Sequence, residues 1–162
     1  MIDMVRRNQE LLRQGRALIA DLNARDYRAV GAHFRHVLDY YGCLLAGMAA
    51  RCIDYDRRAR DFELERSRER ALARIDRIIS ELDGLADWRE VVELRVRQET
   101  PSRSGASHGF APSSLLRELQ VLFSHTVHHY AMISTRLRER GVSLHDDMGV
   151  APSTIAARAG RD

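Results

Sequence analysis

The chain has no lysine, and all 26 of its basic residues are arginine. It also has only two cysteines, no long apolar run and no block of charge of one sign. Each shortage removes a class of function. A bilayer span needs about 20 consecutive apolar residues, and no stretch of this sequence comes close. The opening "MIDMVRRNQELLRQG" is charged within its first three residues and lacks the apolar segment of a signal peptide. A cytoplasmic protein with no membrane partner is therefore expected. The formal charge is only +3 although the pI is about 9.2. The arginines are interleaved with acids, as in "DRRARDFELERSRERALARIDR", a pattern that makes a solvated, ion-paired helix and not a basic face. Without such a face or interleaved aromatics, nucleic-acid binding is not expected. Cys43 and Cys52 fall in what reads as one helical pattern. Their spacing separates them by roughly 13 Å of helical rise, too far for a disulfide, and both are expected to be small buried hydrophobes.

What is present describes one soluble domain, residues 1–162, with 44% apolar and 30% charged residues. A first helix is expected over 4–22, with apolar positions at Val5, Leu11, Leu12, Leu18, Ile19 and Leu22. A second runs from about 30 to 52, with Val37, Tyr41, Leu44 and Met48 on one face. "DYD" at 54–56 offers a cap for a third, whose core stripe includes Ile75, Ile78, Ile79 and Leu82. The period then changes. In "WREVVELRVRQE", 88–99, Val92, Leu94 and Val96 alternate with charged residues as on a strand with one wet face. The polar stretch "TPSRSGASHGFAPSS" reads as a loop or the far side of a hairpin. A fourth long helix begins near Ser113 or Ser114 and runs to about Arg140, where Gly141 stops it. A short final helix starts at Pro152. The expected fold is all-α: a four-helix bundle with a small strand or hairpin insertion before the last long helix and a short C-terminal helix.

Five of the seven histidines crowd into two of these helices, in "GAHFRHVLDYY" at 31–41 and "SHTVHHY" at 124–130. Side chains three or four residues apart share a helix face, so His125 and His129 form a pair. The wheel sets both on the edge of the Leu115, Leu119, Leu122, Ile133, Leu137 stripe and turns His128 away from it. On the second helix the wheel puts His33 nearer the stripe than His36, and either can reach inward. Asp39, three residues after His36, is close enough to orient an imidazole or a bound water. Three imidazoles from two helices with a fourth position open make a site for a divalent metal that binds substrate. "HTVHH" has no glutamate after its first histidine, so the zinc-protease pattern is absent. A lone histidine is usually a hydrogen-bonded core or surface group, and His108 and His145 are expected to be that.

These motifs resemble the DinB-like (YfiT-like) family of metal-binding four-helix bundles. "AVGAHFRHVLD" is similar to the family's serine-isoleucine-glycine step followed by a histidine, with His36 in the histidine place. His125, His128 and His129 match its H-x-x-H-H pattern, and the ending "GVAPSTIAAR" resembles a tail of one branch. The resemblance implies His36, His125 and His129 as ligands to a divalent ion such as zinc or nickel, with His33 in a supporting place; the spacing adds Asp39 and His128 as further supporting candidates. It also implies a small-molecule substrate, a low-molecular-weight thiol, with the metal presenting its thiolate to an electrophile in an S-transferase. Arg57 or Arg60 would hold a thiol's carboxylate. A homodimer is a further implication. The alternatives are a metal-dependent hydrolase using metal-bound water, and a non-catalytic bundle that only holds its metal.

Overall fold

In a computed structural model of the chain, the described residues are 2–86, 92–98 and 109–160. They are mostly helical, with five α-helices and a small three-stranded sheet. Helix α1 is Ile2–Asp21 and α2 is Ala24–Gly47. Strand β1, Cys52–Asp54, is followed by two single 3-10 turns, Tyr55–Arg57 and Phe62–Glu65. Then come α3 (Arg68–Ala86), β2 (Glu93–Arg97), β3 (Ala111–Ser114), α4 (Leu115–Glu139) and α5 (Pro152–Ala159). Each of α1 and α2 packs against both α3 and α4. No helix among the described residues is long and apolar enough to cross a membrane.

The helices form where the apolar spacing says they should. Val5, Leu12 and Ile19 of α1, Ile75, Ile78 and Leu82 of α3, and Leu115, Leu119, Leu122, Ile133 and Leu137 of α4 are all buried in one core. Asn23 starts α2 by accepting the backbone N–H of Asp26, and Ser114 starts α4 by accepting that of Arg117. At the far end of α4, Gly141 has φ +81°. Its N–H reaches the Arg138 carbonyl, and the Val142 N–H reaches that of Leu137. That double return closes the helix and needs the left-handed backbone that glycine adopts without cost.

Helices α1, α2 and α4 are pinned by a buried polar chain. Asn8 donates to the carbonyls of Met4 (2.8 Å) and Leu119 (3.1 Å) and accepts the Tyr41 hydroxyl at 2.6 Å. Thr126, whose hydroxyl donates to the Leu122 carbonyl at 2.7 Å, lies 3.4 Å from that same tyrosine oxygen. A buried amide is tolerable here because nearly every one of its bonds is made.

Three sequence expectations are corrected. Helix α2 stops at Gly47, not Cys52, so Cys52 lies on a strand; both cysteines are free and only partly buried. "DYD" does not open the third helix. Asp54 caps the first 3-10 turn and pairs with Arg97 of β2, and α3 begins only at Arg68. The strand insertion, expected before the last long helix, also takes in a strand from ahead of α3. Strand β1 pairs in parallel with β2, which pairs antiparallel with β3 in the order β1-β2-β3. Val92, Leu94 and Val96 do turn to the core as the alternation requires. Trp88 and residues 99–108, which hold most of the polar stretch and His108, lie outside the described residues.

Candidate metal centre

Helices α2 and α4 run against each other, and the histidines meet on that seam. His36 Nε2 lies 3.2 Å from His125 Nε2, which lies 3.1 Å from His129 Nε2. These three rings converge through one nitrogen each, and their ligand atoms all fall within 4.8 Å of one another. On a tetrahedral zinc with bonds near 2.0–2.1 Å, neighbouring ligand nitrogens sit roughly 3.3 Å apart. Two of the three separations are close to that value and the third is within 4.8 Å, so the donor set is compatible with a divalent ion. Three imidazole nitrogens this close together are otherwise hard to satisfy. If His125 carried its proton on Nε2, it could donate to only one of its two neighbours.

Electrostatics keeps the rings in the form that binds metal. Burial first, then the His125 ring and nearby Arg58, lower His36 to about 4. Burial, His125 and His36 lower His129 to about 3. His33 and His125 shift the same way, again mainly through burial, with His128 adding to it. Neutral imidazole is the ligating species, so none of these rings has to lose a proton near neutral pH.

Of the three residues expected to support the ligands, His33 meets the outward nitrogen of His129 and the other two do not. His33 Nδ1 stands 3.1 Å from His129 Nδ1, the nitrogen facing away from the cluster. With His33 accepting there, His129 carries its proton on Nδ1 and offers a lone pair on Nε2. The His125 Nδ1 atom is buried and has no partner among the described residues. Asp39 does not orient an imidazole. Its carboxylate takes Arg35 at 3.2 Å and the Asp61 N–H at 3.4 Å, one turn away from the role expected of it. His128 is exposed and meets only the edge of the His129 ring. His145 is exposed and accepts the Asp147 N–H.

Two neighbours were not anticipated. The Tyr40 ring lies 4.6 Å from His125 and 4.9 Å from His36, and stacks on Tyr55 at 5.0 Å. The Arg58 guanidinium covers Tyr40 at 4.6 Å. Tyr40 was findable, since it follows His36 by one helical turn. Arg58 was not, because the turns that bring it back to α2 carry no periodic signal; Arg57 and Arg60, on either side of it, are exposed.

Compared with known proteins, the chain matches no protein-family model, no curated protein and no solved structure. The histidine geometry therefore carries the functional reading.

Proposed function

We propose that this chain is a DinB-like four-helix bundle that holds zinc, nickel or a similar divalent ion on His36, His125 and His129, and acts as a thiol-dependent S-transferase. The observation that carries the metal is the convergence of three neutral imidazole nitrogens at 3.1 and 3.2 Å. Three protein ligands leave a coordination position for a small molecule. When bound, the ion supplies the Lewis acidity that deprotonates a coordinating thiol.

The chain's own residues do the rest. His33 fixes the tautomer and ring orientation of His129. Tyr40, held against Tyr55 and Arg58, packs on His36 and His125 and lines that side of the cluster. Arg58 adds positive charge near the two rings, which favours an anionic sulfur over a neutral one.

A thiol is favoured over water as the nucleophile for one reason. Among the described residues no carboxylate joins the three histidines, and the nearest in sequence, Asp39, is committed to Arg35. Hydrolysis at such a site generally calls on a general base, whereas coordination alone deprotonates a thiol.

The test is spectroscopic. The protein is loaded with cobalt(II) and titrated with a small thiol. A sulfur-to-cobalt charge-transfer band that saturates, and is missing in His36→Ala, supports the reading. A cobalt spectrum indifferent to thiol refutes the S-transferase, and turnover of an ester without thiol would put the hydrolase in its place.

A further inference from the structure

A cleft of about 600 Å³ lies where α2, β1 and the turn after it face α3. That is the size of a small-molecule site. Its wall carries six charged side chains, Asp39, Asp54, Asp61, Arg57, Arg58 and Arg74. Their pairing decides what the cleft can hold. Asp54 is paired with Arg97, and Asp39 shares Arg35 with Glu65; neither arginine lines the cleft. Asp61 is the one lining carboxylate without an ion pair among the described residues, and three guanidiniums line the same wall. Arg57 is held only loosely, 4.0 Å from an Asp54 already bound by Arg97. Arg58 and Arg74 have no ion pair among the described residues.

Two features show that these heads are placed rather than merely nearby. Arg58 donates through Nη1 to the Tyr55 carbonyl at 2.8 Å, while its Nε is buried with no partner. Arg74 reaches from α3 to α2, where its Nη2 would sit 2.2 Å from a Cβ at Gly42. The missing side chain at position 42 is the space that the guanidinium occupies. A buried donor without a partner is costly, and a guanidinium fork matches the paired oxygens of a carboxylate or phosphate.

We propose that this cleft is a binding site for a small oxyanion-bearing molecule, gripped by Arg58 and Arg74. It is separate from the histidine cluster and does not depend on a metal there. Arg58 borders both, through its contact with Tyr40.

The experiment is isothermal titration calorimetry on the full chain, stripped of metal on a chelating resin, with inorganic phosphate and, separately, succinate at low ionic strength. The expected result is saturable binding of at least one of the two, phosphate pointing to a phosphoryl ligand and succinate to a carboxylate. Arg74→Gln should weaken it at least tenfold with helicity unchanged. Gly42→Ala, which displaces the Arg74 head, should weaken it as well. His129→Ala, which removes a candidate ligand that touches neither Tyr40 nor Arg58, should leave it unaltered, so the cleft and the metal reading fail independently. No saturable binding of either anion overturns the proposal. So does binding that Arg74→Gln leaves intact, or binding that His129→Ala abolishes.

Discussion

His33 offers the sharpest check on how the histidines are arranged. Its Nδ1 meets the outward nitrogen of His129 at 3.1 Å, an imidazole-to-imidazole contact behind the cluster. Removing a partner of this kind typically lowers metal affinity 10- to 100-fold, about 1.4 to 2.7 kcal/mol. His33→Ala should fall in that range, because one of three ligands loses its orientation while its own nitrogen stays in place. His33→Gln, whose carbonyl can accept the same N–H, should recover most of the loss. His128→Ala and Asp39→Asn should change little, since His128 is exposed and Asp39 bonds to Arg35 and Asp61. Affinity is read by competition with a chromophoric zinc chelator. Wild-type affinity in His33→Ala would show that the 3.1 Å contact does not support the site. Loss as complete as in His36→Ala would make His33 itself a ligand, as the helical wheel allows.

Other outcomes follow from the same structure. The imidazoles of His36 and His129 are held well below the usual histidine range of about 6.5. As pH falls from there toward 4, the unfolded chain takes up protons that the folded chain refuses, so the metal-free protein should lose stability on acidification and show no such slope above neutrality; thermal melts across pH, repeated with His129→Ala, read this, and an unchanged slope in the variant would contradict it. Asn8→Ala removes the acceptor of the buried Tyr41 hydroxyl and the tie to the Leu119 carbonyl and should cost about 1–3 kcal/mol in urea unfolding; no loss would mean the buried chain contributes nothing net. Gly141→Ala meets nothing within 4 Å, yet forces a side chain into the left-handed region at a cost of roughly 1–2 kcal/mol, readable in the same assay. A neutral result there would mean that the α4 terminus rearranges freely.

The long helices and the histidine pair on α4 were legible in the sequence because both rest on a period. Leu115 through Leu137 define one stripe, and His125 and His129 sit at its edge as the 3.6-residue repeat demands. The strand at 93–97 was legible for the same reason, through the two-residue alternation of Val92, Leu94 and Val96. What failed was short and non-periodic. Cys52–Asp54 is only three residues long and exists because it pairs with β2 some forty residues later, a contact no local pattern contains. The α2 wheel leaned to His33 and left either histidine able to reach inward, since both lie on the seam with α4. Only the direction of each ring decides it: His36 turns its Nε2 into the cluster, and His33 turns to the back of His129. Asp39 was misjudged because the sequence does not show that Arg35, one turn before it, has first claim on its carboxylate.

The central claim is that His36, His125 and His129 bind a metal, and elemental analysis of the untagged protein beside His36→Ala tests it most directly. The account predicts close to one divalent ion per wild-type chain after reconstitution and dialysis, and a large loss in a variant that remains helical. No retained metal in the wild type, or equal metal in both proteins, would contradict it and return the three imidazoles to a packing role.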